Sequence, residues 1–367
     1  MRRVVKVSRI RIIITIIVVV LTTLLTGCTG KEPNEIAYVV ALGIDSTDDD
    51  NYKITIQYAN TTQISGGASE SGGKAGSEIV DNVTIEAPNI YAGVGLANNI
   101  VSKSFSMSHA KLIVFSKEIA EKGVKDMIET LVRSEEIRPD VFIAVANTTA
   151  NDYLTSVNPE MEVNPAQYYQ LIYQKNQLVG IPDGQLREFF TGLYTDNYDS
   201  ILPVAGVIEG AGGNSQNDDK GQSKDSQNEG SEGSSESLDS FESKNSDENE
   251  KEKDAEKNTS KYEYDIKNYV GGETAIEKKN KAEAIGAAVF EKDKMVGELG
   301  EVETEICKML KGDYTYSYLT YYNNDTPDIP ITVKTTQQKK PKYKIDTDKK
   351  TVDIELYIES DLYSLPA

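Results

Sequence analysis

Groups able to do covalent or acid–base chemistry are few in this chain. Among 367 residues there are two cysteines, Cys28 and Cys307, and one histidine, His109. His109 stands immediately before an apolar run, where an imidazole far more often serves packing than catalysis. With no second histidine, a histidine-based metal site cannot be completed. Ser-His-Asp or Cys-His catalysis would have to draw on this one ring. Carboxylates abound, but no spacing singles out an acid/base pair, and Glu135-Glu136 reads as the polar end of a helix. Asp45 to Tyr52 (DSTDDDNY) superficially resembles a calcium loop but lacks that pattern's glycine and terminal glutamate. No Walker pattern occurs. These residue types argue against an enzyme and imply no cofactor and no metal.

Cys28 differs from the rest because of what precedes it. Arg2, Arg3, Lys6, Arg9 and Arg11 form a basic n-region, and Ile12 to Leu25 is an uncharged apolar stretch of 14 residues. That length fits a secretory h-region and is short for a membrane span, which needs about 20 residues. Leu25-Thr26-Gly27-Cys28 then has the form of a lipobox: small residues ahead of a cysteine whose thiol is diacylated before cleavage on its amino side. The reading is a lipoprotein signal peptide over 1–27, with Cys28 as the lipidated first residue of the mature chain. Two acyl chains, at about 0.8 kcal/mol per buried methylene, make a stable anchor where one is marginal. The competing reading is an uncleaved signal anchor with an incidental cysteine.

Cleavage would move the formal net charge from −20 to −25, because five basic residues and no acidic ones are lost. Such a surface excludes nucleic acid as a partner and offers no broad adhesion to anionic lipid. One remaining cysteine allows no intramolecular disulfide, so folding must rest on burial.

The elements that must position these groups follow from pattern. IAYVVALGID, Ile36 to Asp45, is nearly all apolar and predicts a buried strand. YKITIQYAN alternates apolar with polar residues and should pair with it as a hairpin. Val83 to Ala87 adds a strand. Pro88 opens a helix with Ile90, Val94, Ala97 and Val101 on one face. AKLIVFS and VFIAVAN are buried strands. Between them Met127, Ile128, Leu131 and Val132 keep a helical period, and Gly123 divides the helical stretch. Strand, helix, strand at this spacing predicts a βαβ-like unit in a mixed sheet. Two amphipathic helices follow between Pro165 and Phe190, separated by IPDG. Further on, AIGAAVFEKDKMVGEL predicts a hairpin. EVETEICKMLK predicts a helix with Val302, Ile306, Met309 and Leu310 on one face and Cys307 beside them. YTYSYLTYY, DIPITVKTT, PKYKID and TVDIELYIES read as successive strands.

From Ala211 to Ser260 there are 14 acidic and 6 basic residues and almost no large apolar ones. Such a segment buries too little to offset its ordering entropy and reads as disordered, either as a linker or as a tolerated insertion inside one domain. The shorter SGGASESGGKAGSE reads as a flexible loop. The predicted organisation is α+β, with mixed sheets carrying helices on their faces. An N-terminal block occupies 28–208, an acidic linker 209–261, and a smaller C-terminal block 262–367.

This order of elements resembles the Ger(x)C family, the lipoprotein C subunit of spore germinant receptors. The likeness begins at Gly27-Cys28 and the strand ending in Gly43-Ile44-Asp45. It is most specific in SHAKLIVFSKEIAEKGVKDMIETLVRSEEIRPDVFIAVAN, where Arg133, Glu136, Ile137 and Arg138 match an Arg-x-x-Glu-Ile-Arg segment. IGAAVFEKDKMVGEL matches the opening hairpin of the family's C-terminal domain. The likeness departs at TGKEPNE, which replaces the family's aromatic and basic residues after the cysteine. It also implies a further helix and strand beyond Ala367. The resemblance implies a non-enzymatic, lipid-anchored receptor subunit on the outer face of the spore inner membrane, acting in nutrient-triggered germination. Its implied partners are an A subunit and a polytopic B subunit. The alternative is a ligand-binding lipoprotein of an uptake or envelope system.

Overall fold

The computed structural model describes residues 11–20, 32–49, 51–60, 80–159, 162, 164–174, 180–208, 264–265, 269–274, 281–323 and 326–364. Residues 11–20 are helical and exposed. No helix among the described residues is long and apolar enough to cross a membrane. Cys28, the glycine-rich loop and the acidic segment lie outside the described residues.

The architecture is α+β, as the pattern predicts. The first sheet is built on β1 (Ile36–Ser46), which pairs antiparallel with β2 (Tyr52–Ala59) and parallel with β5 (Leu112–Ser116). β3 (Val80–Ala87) extends the β2 side, and short β4 (Ser104–Ser106) pairs with the start of β1. On the other side β6 (Phe142–Ala146) pairs parallel with β5, and β7 (Ser200–Val207) parallel with β6. β9 (Ala282–Glu291) and β10 (Lys294–Leu299) complete the nine strands. The hairpin expected to open the C-terminal block thus joins the sheet of the N-terminal block, through β7 and β9 in antiparallel register.

Every residue of β5 and β6 is buried, as parallel strands covered on both faces must be. One face carries α1 (Ile90–Ala97), α2 (Lys117–Lys122), α3 (Lys125–Val132) and α6 (Leu186–Tyr194), which pack on Ile113, Phe115, Ile143 and Val145. The opposite face carries α4 (Ala150–Ser156) and α5 (Pro165–Gln174), over Leu112, Val114, Phe142 and Ala144. Of the residues predicted for the helix between β5 and β6, Ile128 and Leu131 are buried and Val132 is exposed. Under α4 and α5 runs a buried polar network. The Tyr169 hydroxyl donates to Gln57 Oε1 at 2.5 Å, Gln57 Nε2 donates to the Leu154 carbonyl at 2.8 Å, and the Tyr153 and Tyr173 hydroxyls meet at 3.0 Å. Each of these hydroxyls has a partner, which is what makes three fully buried tyrosines tolerable in the core.

The second sheet has the order β13 (Thr351–Ser364), β12 (Thr326–Asp346), β11 (Tyr316–Asn323), β8 (Tyr264–Asp265). DIPITVKTT and PKYKID, read as two strands, form the single β12. Pro341 sits where the β12–β13 register slips between Lys339 and Lys342, so its missing N–H breaks no ladder bond there.

α7 (Glu301–Lys311) joins the two sheets, and Gly312, with φ 75°, caps it in the left-handed region. Its buried side matches the predicted stripe only in part: Met309 is buried, Val302 and Leu310 are half-buried. Thr304, Glu305, Lys308 and Met309 are buried, whereas Ile306 is 47% exposed. The surface that α7 covers is hydroxyl-rich, so its polar residues face inward.

Candidate functional site

The Gly43-Ile44-Asp45 motif proves to be a local building device. A Cβ on Gly43 would lie 3.0 Å from Leu154 Cδ1 and 3.1 Å from Ala150 Cβ, so glycine lets α4 approach β1. Ile44 is fully buried. Asp45 accepts the backbone N–H groups of Ala150 at 2.7 Å and Asn151 at 3.0 Å, closing the first turn of α4. A carboxylate suits a helix N-terminus, where N–H groups lack intrahelical partners. Burial pushes the Asp45 carboxyl above the usual range, and the two N–H bonds oppose the rise. The loop after it shows the same kind of service: Thr47 Oγ1 donates to the Asn51 carbonyl at 2.9 Å.

The Arg133–Arg138 segment is also tied locally. Glu136 accepts the Met107 N–H at 2.6 Å, Arg133 pairs with Glu129 at 2.5 Å, and Ile137 is buried. His109 is exposed and meets the Tyr38 ring edge-on, with centroids 4.8 Å apart. Cys307 is half-buried on α7.

What the sequence does not reveal is a cluster of displaced titratable groups where α6 and the start of β7 meet α7. A cleft of about 380 Å³ there is lined by Asp183, Glu188, Phe189, Tyr198, Lys308 and Asp313, among others. Burial pushes Asp183 up, opposed by the Gln185 N–H. Glu188 is pushed up by burial and then by the Asp183 charge. Lys308, 6% exposed, donates to the Ile181 carbonyl at 3.2 Å and is pushed down by burial. One turn away, Glu305 is 2% exposed and accepts Ser317 Oγ at 2.8 Å. The Tyr314 hydroxyl sits 2.7 Å from Ser317 Oγ and also bonds Thr335 Oγ1. Burial pushes the Glu305 carboxyl up to about 7, with the Ser317 bond working against it and the Glu301 charge adding to it. Clustered displaced acids and amines mark a place where a partner charge would be strongly felt. The ring of His109 is elsewhere, against Tyr38 of β1. Among the described residues no group of three or more His, Cys, Asp or Glu could hold a metal ion.

Two sheets joined through one helix, with local structural duties for the Gly43-Ile44-Asp45 and Arg133–Arg138 motifs, define an α+β protein. Residues 30–207 match the spore germination protein N-terminal domain, and residues 285–366 match the C-terminal domain described as spore germination B3/GerAC like. The chain belongs to this Ger(x)C family of spore germination proteins. It is 26% identical to spore germination protein KC of Bacillus subtilis (strain 168) over 174 residues, which is 44% of this chain and 42% of that protein. It is 28% identical to the putative spore germination protein YfkR of the same organism over 145 residues, 39% of this chain and 37% of that protein. Spore germination protein B3, also from that organism, is 26% identical over 148 residues, 38% and 36% of the two chains. The matches thus span about two fifths of these relatives' lengths. No solved structure matches the chain at a significant level.

Proposed function

We propose that the protein is a non-enzymatic subunit of a membrane germinant receptor, held on the outer face of the spore inner membrane by acyl chains on Cys28. It works there with the A and polytopic B subunits in nutrient-triggered germination. The observation that carries the reading is the join between motif and domain. The lipobox ends at Cys28, and the family match begins two residues later, at residue 30. Cleavage at the lipobox leaves a mature chain that starts at the family's own domain. The acidic mature surface provides no second attachment, so the acyl chains must hold the protein.

Cys28→Ala is expected to abolish acylation and release the protein from membranes. Fractionation with acyl-chain labelling reads both effects. A variant still wholly in the membrane pellet would show that the apolar stretch itself is the anchor. Co-purification of the acylated protein with two other membrane subunits tests the receptor assignment, and recovery of the protein alone would count against it.

We further propose that the acidic segment is an unstructured connection between β7 and β8. The strand before it is held without it, since β7 pairs antiparallel with β9 and the Ile208 N–H donates to the Lys281 carbonyl at 2.9 Å. Deleting Gly213 to Asn258 is therefore expected to leave circular dichroism and protease resistance unchanged, because shortening a long flexible loop costs little closure entropy. Loss of either sheet on deletion would show that the segment is part of the fold.

A further inference from the structure

Apolar side chains stand exposed at the end of the first sheet where β1 begins. β4 runs parallel to the start of β1, with Ser104 opposite Ile36, so the chain enters both strands from the same end. The turn leading into β4 is pinned. The Ile100 and Val101 N–H groups donate to the Ala97 carbonyl at 3.0 and 3.1 Å, and Asn98 Oδ1 accepts the Phe105 N–H at 2.7 Å. Val101 packs on the core, whereas Ile100 beside it is 69% exposed and Leu96, near the end of α1, is 48% exposed. The same stretch is stripped of carboxylates. Asp and Glu make up 59 of the 367 residues, yet none lies between Glu86 and Glu118.

This end is also the one nearest the anchor cysteine. Glu32, the first described residue after Cys28, follows it by four positions, so the two lie within about 14 Å even at full extension. A short 3-10 helix, Pro33–Glu35, then runs straight into β1. Cys28 and the β4 turn therefore belong to the same end of the sheet. Resting on the acylation of Cys28 proposed above, we propose that this end meets the membrane, with Leu96 and Ile100 entering the boundary between headgroups and acyl chains. Two side chains are too little to hold the protein, and the acyl chains still do that. Once the chain is tethered, every further contact is made at high effective concentration, so the pair is enough to fix which end faces the lipid. The absence of carboxylates suits this role, since a charge entering the boundary would lose its water.

The test uses the full chain, expressed with its leader, purified in detergent and returned to vesicles of zwitterionic phospholipid, with acylation of Cys28 verified by mass. In a Cys307→Ser background a fluorophore is attached at Ser102→Cys, beside Ile100, or at Asp49→Cys; both positions are exposed. Asp49 lies in the turn beyond β1, whose 11 residues run about 33 Å. Lipid carrying a nitroxide near its headgroup should remove most of the emission at 102 and leave that at 49 unchanged. Leu96→Ser together with Ile100→Ser should keep acylation and membrane retention but lose most of the quenching at 102. Quenching that survives this double substitution would overturn insertion and leave only nearness to the tether. Equal quenching at the two positions, or stronger quenching at 49, would overturn the orientation. Quenching seen only with anionic lipid would overturn the apolar contact in favour of one made by lysine. A chain recovered without acyl groups would sink the reading of Cys28 itself, and this proposal with it, whereas an acylated chain that is not quenched at 102 would sink this proposal alone.

Discussion

Truncation of Phe142 to alanine is expected to cost about 3–5 kcal/mol, the range for deleting a buried phenylalanine ring where surrounding structure cannot collapse into the space. Phe142 starts β6, is 6% exposed, and stacks on Tyr173 with ring centroids 6.0 Å apart and planes 28° off parallel. Its neighbours cannot easily move inward. Leu112 and Val114 are fixed by the β5–β6 register, and Tyr173 is held through its hydroxyl by Tyr153. The loss is a large share of the roughly 5–15 kcal/mol that keeps a domain folded. Phe142→Leu, which keeps most of the volume, should cost less than about 1.5 kcal/mol. The chain has no tryptophan and 21 tyrosines, so urea unfolding is best followed by circular dichroism or tyrosine emission. A cost below about 1 kcal/mol for the alanine variant would mean that the face under α4 and α5 is loosely packed.

The parts of the fold that were legible in the sequence are those whose pattern is set by local burial. β1, β5 and β6 read as apolar runs because both their faces are covered. β2 read as alternating, yet it is buried at four consecutive positions, because Thr55 and Gln57 point into the polar network under α4 and α5. Polar residues used inside a core look like solvent-facing ones in a sequence. The same substitution of roles explains α7. Its apolar stripe predicts Val302, Ile306, Met309 and Leu310 inward; Met309 is buried, but beside it Ser317, whose hydroxyl is linked to Tyr314 and through it to Thr335, draws Glu305 inward in place of Ile306. α4 went unread because its start depends on a distant residue, Asp45, as well as on Thr149, whose side chain accepts the Asp152 N–H at 3.0 Å. β7 went unread as well. Its Pro203 argues against a central strand, and in the sheet it falls at a register shift against β9. The cleft at α7 was invisible for a simpler reason. Asp183 and Glu188 are separated from Lys308 and Asp313 by more than a hundred residues, and only the joining of β9 to β7 brings them together.

Glu305→Gln is expected to stabilise the protein above neutral pH and to leave it nearly unchanged under acid conditions. The carboxyl has a value of 4.5 in the unfolded chain and about 7 when folded, because burial on α7 disfavours its charged form. A group whose folded value is raised contributes stability below its unfolded value and loses it as pH rises through the folded one. The window is therefore pH 4.5 to about 7, and the accumulated cost at its upper end is on the order of 3 kcal/mol. Glutamine can still accept the Ser317 hydroxyl but cannot ionise, so it escapes that cost. Asp45, Asp183 and Glu301 are pushed up as well, each chiefly by burial, so the pH slope of the unmodified protein is a sum over several acids. The difference between the protein and its Glu305→Gln variant isolates the one group. Urea unfolding of both at pH 5 and pH 8 should show near-equal stability at the lower pH and a clear advantage for the variant at the higher. Parallel curves across that range would show that Glu305 is solvated in the folded protein, and that the hydroxyls of Ser317, Tyr314 and Thr335 do not enclose it.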